Sequence, residues 1–155
     1  MVGSSLGRKL GISMRKIERS AYIKHSSREM FLLVNDIESY PQFLPWCKRT
    51  EIHESSNEII TASIHMERGG LTASFTTTNR MKLYESIELS LKDGPFNHFQ
   101  GGWKFDDLGK DGSKIYFELE FKFKNKFLDA TLGPFFEDIC EMMVNAFVKR
   151  ADVKN

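Results

Sequence analysis

The residues able to do chemistry are few and far apart. Histidines stand at His25, His53, His65 and His98, and cysteines at Cys47 and Cys140. No pair among them has metal-clamp spacing, and the HExxH, CxxC, GxSxG, GxGxxG and Walker patterns are all absent. Cys47 follows Pro45-Trp46. To act as a nucleophile it needs a histidine and an orienting partner within hydrogen-bond reach. Folding could bring His53 or His98 there, but the inert thiol is the simpler reading. The cysteines read as reduced thiols of a cytosolic protein, although the sequence leaves a disulfide open. Glu67, Glu118 and Glu120 fall at outward strand phases, where carboxylates are solvated. The expectation is no catalytic residue, no metal and no required cofactor.

Basic residues gather in short groups: Arg8, Lys9, Arg15 and Lys16 near the start, Lys48 and Arg49 after Trp46, and Lys114, Lys122, Lys124 and Lys126 late in the chain. They read either as a solvated face or as a surface for phosphates, on RNA or on lipid head groups. Net charge is only +1 over 155 residues, so no overall basic field calls for nucleic acid. What the chain has in excess is phenylalanine, 13 residues of it, with seven methionines. Phe carries no polar handle, which points to a large apolar interior or cavity.

The elements that must position these groups follow from hydrophobic period. Ile115, Phe117, Leu119, Phe121 and Phe123 alternate with Lys114, Tyr116, Glu118, Glu120, Lys122 and Lys124, a strand with one apolar face. A helix follows over Asn125 to Arg150. Its apolar stripe is Leu128, Leu132, Phe135, Phe136, Ile139, Met142, Met143, Ala146 and Phe147. Gly133-Pro134 predicts a kink or break inside it.

Earlier in the chain, residues 1–14 read as a disordered tail. Arg15 to Ile23 is a first strand. Ser26-Ser27-Arg28-Glu29 fits a capping box for a helix burying Met30, Phe31, Leu33, Val34 and Ile37. Tyr40 to Cys47 carries two prolines and becomes a turn or short helical piece. Strands then span Cys47–Glu54, Glu58–Arg68, Leu71–Leu83 and Ser86–Lys92. Phe96 to Gln100 reads as a loop, with a strand starting at Gly101-Gly102 and running through Phe105. Short connections make an antiparallel meander. The expected fold is α+β: one curved antiparallel sheet wrapped around a long C-terminal helix, in a single domain over 15–152. No apolar run approaches the ~20 residues that span a bilayer, and no secretory segment is present.

Val34-Asn35-Asp36-Ile37-Glu38-Ser39-Tyr40-Pro41-Gln42-Phe43-Leu44-Pro45-Trp46-Cys47 resembles the signature of the START-like polyketide cyclase/dehydrase superfamily. Within it, the stretch resembles the branch of coenzyme Q-binding proteins and the ribosome-association toxin RatA. Asp93-Gly94-Pro95-Phe96, Gly101-Gly102-Trp103-Lys104-Phe105 and Ala146 to Ala151 are similar to the bacterial members in particular. The resemblance covers Arg15 to Asp152 in order and spacing. It implies a helix-grip (START-like/Bet v 1-like) fold with a cavity between sheet and helix. Mitochondrial relatives bind ubiquinone in support of respiration. The bacterial RatA member binds the large ribosomal subunit and blocks subunit association. The resemblance also implies the bacterial cytoplasm, with peripheral contact at the inner membrane face.

The leading expectation is therefore non-enzymatic binding of a hydrophobic ligand, ubiquinone or another polyprenyl lipid. Phe75, Phe117, Leu119 and Phe121 would line it from the sheet, joined by Trp103. Phe136, Ile139, Met143 and Phe147 would line it from the helix. Phe43, Leu44 and Trp46 would gate the mouth with the Phe96 to Phe99 loop. Burying a CH₂ is worth about 0.8 kcal/mol, so a five-carbon prenyl unit gains roughly 3 to 4 kcal/mol. A bilayer offers nearly the same, which keeps transfer reversible. The alternative is a RatA-like toxin on the large ribosomal subunit, and the third is a cyclase-type enzyme with a titratable pair in its cavity. The first expectation holds only if the helix leaves the sheet's cradle unsealed.

Overall fold

The computed structural model describes residues 12–154. The expected tail lies outside the described residues, apart from 12–14, which precede the first strand without regular structure. In chain order the elements are β1 (Arg15–Ile23), α1 (Ser27–Asn35), a 3-10 turn (Ile37–Gln42), β2 (Cys47–Ser55), β3 (Ile59–Arg68), β4 (Leu71–Lys82), β5 (Ser86–Asp93) and β6 (Phe96–Asp107). A second 3-10 turn (Gly109–Asp111), β7 (Ser113–Phe123) and α2 (Lys126–Lys154) complete the chain.

The strands form one seven-stranded sheet ordered β1-β7-β6-β5-β4-β3-β2. Every neighbouring pair is antiparallel. Hairpin connections build the sheet from β2 to β7, and β1 then docks on β7 with Ile17 opposite Leu119. The curved sheet wraps α2, which is the helix-grip arrangement. Alternation along β7 places Ile115, Phe117, Leu119, Phe121 and Phe123 inside. At α1 the Ser26 hydroxyl accepts from the Glu29 backbone N–H at 3.1 Å, as a capping box requires. The Glu29 carboxylate meets His25 Nδ1 at 2.9 Å.

The sequence reading is corrected in several places. Phe96 to Gln100 is strand, since β6 starts at Phe96, and its registers Phe96–Phe123 and Phe99–Phe121 seat both rings in the core. These residues therefore gate no mouth. Gly101 and Gly102 lie inside β6, where a Cβ would stand 2.2 Å from the Glu118 carbonyl oxygen or from that of Ile87. They serve close strand approach, a use of glycine that looks like a strand boundary in sequence.

Nor does Gly133-Pro134 break α2, which is helical from Lys126 to Lys154. Pro134 is tolerated because buried neighbours on both sides, Leu132, Phe135 and Phe136, hold the helix to the sheet. The buried face of α2 is also rotated from the expected stripe. Cys140, Val144 and Ala151 face in, while Met142 is 45% exposed and Met143 and Ala146 are half-buried.

Candidate functional site

Between sheet and helix the interior is closed by aromatic packing. Phe136 from α2 is the wedge, with ring centroids 4.9 Å from Phe121, 5.1 Å from Phe96 and 5.7 Å from Phe75. Further along, Phe147 meets Trp103 at 5.3 Å, Phe43 at 5.2 Å and Tyr40 at 5.4 Å, and Trp103 meets Phe117 at 4.8 Å. Among the described residues this packing borders a cavity of about 70 Å³ whose lining includes Phe75, Phe99, Trp103, Leu119 and Phe136. A cavity of about 150 Å³ is what benzene needs. An isoprenoid chain does not fit this one. Phe96, Phe117, Phe121 and Phe147, also expected to touch ligand, are buried in the surrounding core.

The polar groups at this cavity are Tyr40, Thr77 and Asn79. Thr77 Oγ1 donates to Asn79 Oδ1 at 2.7 Å, and the Tyr40 hydroxyl donates to the Val34 carbonyl. Burial pushes the Tyr40 phenol upward.

A second space opens outward. It is a groove of about 690 Å³ between the Phe43–Trp46 turn, the end of β3 and the outer side of α2. Phe43, Leu44, Trp46, Ile139 and Met143 line it, together with Met142 and Ala146. Its rim carries Glu67, Arg68, Lys149 and Arg150. The Arg150 guanidinium lies 5.0 Å from the Phe43 ring centroid and donates to Gln42 Oε1 at 2.6 Å. Its Nε is buried without a hydrogen-bond partner among the described residues. Arg68 pairs with Asp138 at 2.8 Å, and Lys48 with Glu67 at 3.5 Å. The structure thus splits the expected ligand residues between an outer groove and a sealed core. Sequence reasoning missed Met142, Ala146, Arg68, Lys149 and Arg150 as groove residues. Met142 and Ala146 did stand on the apolar stripe, but a period cannot tell which part of a stripe stays open.

The candidates for chemistry are accounted for differently. Cys47 is buried, and burial pushes its thiol up to about 11. His53 bonds Ser63 Oγ at 2.7 Å and His98 bonds Glu120 Oε2 at 2.9 Å, so both have partners other than Cys47. Burial raises Cys140 further. Among the described residues no group of three or more His, Cys, Asp or Glu is placed to hold a metal. Glu51, His65 and Ser74 form a carboxylate–imidazole–hydroxyl row across β2, β3 and β4, at 2.8 Å and 2.6 Å. It lies away from both groove and cavity, on the sheet's outer face, and reads as a cross-strand staple.

A curved antiparallel sheet gripping a C-terminal helix defines the START-like class. The sequence model of the family described as polyketide cyclase / dehydrase and lipid transport matches residues 23–148, and the chain belongs to that family. Among its relatives is the ribosome association toxin RatA of Escherichia coli K12, 41% identical over 140 residues, covering 90% of this chain and 89% of that one. The mitochondrial coenzyme Q-binding protein COQ10 of Drosophila melanogaster is 26% identical over 82% of this chain and 54% of its own. Among solved structures, a START superfamily protein from Mycobacterium smegmatis superposes with a TM-score of 0.71 at 19% identity, covering 94% of this chain and 99% of that one. Among the described residues no helix is long and apolar enough to cross a membrane.

Proposed function

We propose that this chain works through its surface, as a ribosome-associating protein of the RatA kind, with the large subunit as the partner the family resemblance implies. The observation that carries the reading is the tightly packed interior. A space of about 70 Å³ leaves no room for the quinone that a carrier would enclose. The open apolar and basic features face solvent instead. Relatives named for ribosome association, such as the 41% identical toxin of Escherichia coli, support the same reading. The test is sedimentation of the purified chain with separated ribosomal subunits and with intact ribosomes. The expected result is co-migration with the large subunit that weakens as salt rises. Migration at the top of the gradient under low salt would overturn the reading.

A second reading keeps the apolar ligand and moves it outward. The groove beside α2, at about 690 Å³, falls within the range of small-molecule sites. A polyprenyl quinone would lie along Met142, Met143 and Ala146, with Phe43 and Trp46 resting on the membrane that supplies it. Native mass spectrometry with organic extraction of protein from its own cells separates the readings. A copurified quinone favours this one, and empty protein on ribosomal subunits favours the first. A cyclase-type reaction would need a titratable pair in the cavity, where the polar groups are Tyr40, Thr77 and Asn79.

A further inference from the structure

The outer face of the sheet carries a trough that neither reading has used. Its volume is about 420 Å³, and it lies over Gly101 and Gly102 in β6. Their missing side chains leave a bare strip of backbone between β5 and β7. Registers place the surrounding residues in two rows. Glu18 pairs with Glu118, Glu118 with Gly102, and Gly102 with Glu88. In the next row Tyr116 pairs with Lys104, and Lys104 with Ser86.

The first row breaks a rule of sheet construction. Like charges opposite one another destabilise a sheet, yet Glu18 faces Glu118 directly, with Lys16 at 3.2 Å from Glu18 offsetting part of the repulsion. Among the described residues the Glu88 and Glu118 side chains accept no hydrogen bond, although Arg80 stands opposite Glu88 in register and Lys16 is near enough to Glu118 to feel its charge. The second row holds the cation Lys104, and Lys114 stands just outside the trough, two positions along β7, opposite Asp106 and Tyr22. Lys114 Nζ lies 4.9 Å from the Tyr116 ring centroid and 4.8 Å from that of Tyr22, and Lys104 Nζ lies 5.5 Å from Tyr116. Lys104 has Asp106 at 4.0 Å, a loose pairing that leaves its donors accessible. Tyr22 is 73% exposed. The trough therefore has a floor of bare backbone, an aromatic side in Tyr116, the Lys104 ammonium at one end with Lys114 just beyond it, and at the other the Glu88 and Glu118 carboxylates, whose oxygens accept no hydrogen bond among the described residues.

One ligand chemistry matches all four. A nucleotide offers a planar ring for the floor and a phosphate for the ammonium groups. Guanine alone among the common bases presents two adjacent donors, N1–H and the 2-amino group, which a carboxylate can accept together. Adenine and cytosine place a ring acceptor there and would be repelled. Single-stranded RNA is read in this way, by stacking and by the Watson–Crick edge. We propose that this trough docks an unpaired guanine nucleotide of RNA, its phosphate on Lys104 and Lys114, its ring beside Tyr116 and its donor edge on Glu88 or Glu118. The proposal rests on the ribosome reading for the source of the RNA.

The test uses the full chain and labelled RNA hairpins whose loop holds one G, or A at the same place, read by fluorescence anisotropy. The G loop should bind at least about fivefold more tightly. Glu88→Gln with Glu118→Gln should erase that preference. Lys104→Glu with Lys114→Glu should weaken both loops and lower the salt slope by about two. All of these positions lie on the outer face, and circular dichroism checks that the variants fold. Equal binding of the two loops by the parent chain, or unchanged binding by the lysine variant, overturns the proposal. Guanosine monophosphate equimolar with the RNA should not displace it, and displacement would make the free nucleotide the ligand. Sedimentation of the lysine variant separates this failure from that of the ribosome reading. If parent and variant both ride the large subunit, the trough is wrong and the ribosome reading stands. If the parent ignores ribosomes but still selects the G loop, the trough stands and the ribosome reading falls.

Discussion

The Arg15 guanidinium occupies the space that a Cβ at Gly133 would need, 2.4 Å from Nη2. From there Arg15 reaches Asp129 at 3.1 Å and also pairs with Glu137. The absent side chain in α2 is what lets Arg15 tie β1 to the helix, beside the separate Arg19–Glu141 pair at 3.0 Å. Alanine favours a helix over glycine by about 1 kcal/mol, so the substitution sets propensity against this ion pair. Gly133→Ala should destabilise the parent chain by about 1 kcal/mol and stabilise an Arg15→Ala background by up to the same amount. A urea double-mutant cycle measures both. The same sign in both backgrounds would mean that the guanidinium moves aside without cost.

His25 bridges α1 and the end of α2, meeting Glu29 at 2.9 Å and Asp152 at 2.7 Å. The hydrogen bond that the ring donates to Asp152, and then the charge of Glu29, hold its pKa above the ordinary 6.5. A raised folded value means that the contribution is complete below 6.5 and is lost as pH rises through the higher folded value. Stability to urea should therefore fall from mildly acidic to mildly alkaline pH, and His25→Gln should flatten that fall. An equal slope in both proteins would remove His25 as its source.

Phe136 is the wedge between the helix and the sheet. Phe136→Ala should cost about 3 to 5 kcal/mol and enlarge the present cavity. If the variant folds, benzene should raise its melting temperature and leave the parent unaffected. No benzene effect would mean that the sheet collapses onto the helix.

Met142 and Met143 test the groove without entering the core. Met142→Glu should shift stability by no more than about 0.5 kcal/mol, since its side chain is largely solvated. Met143→Glu should abolish quinone copurification if the outer groove is a lipid site. Retained quinone in a folded Met143→Glu protein would exclude that groove. Phe121→Asp is a poorer probe, because it buries a charge in the core and should simply unfold the chain.

The alternation of β7, the cap at Ser26 and the repeated short turns were legible because local patterns dictate them. Each strand's inner face can be counted at a period of two, and the order of elements leaves few ways to bury those faces. Phe96 and Gly101-Gly102 were misread because turn residues next to an aromatic run look the same at a loop as at a strand running close to its neighbours. Only the pairing with β5 and β7 distinguishes them. The helix stripe was likewise correct in period and off in rotation.

From the order of residues alone came the class of fold, the family and an excess of apolar side chains. Whether that excess surrounds a ligand or fills its own space was decided in three dimensions. Phe136 and Phe147 come from α2 and their partners from distant strands and from the turn before β2, so the volume left between them depends on how every ring tilts against its neighbours. The carboxylates flanking Gly102 likewise become one row only when β1, β7, β6 and β5 settle into register. A cavity and a charge row are properties of distances between segments, and a linear pattern carries no such distances.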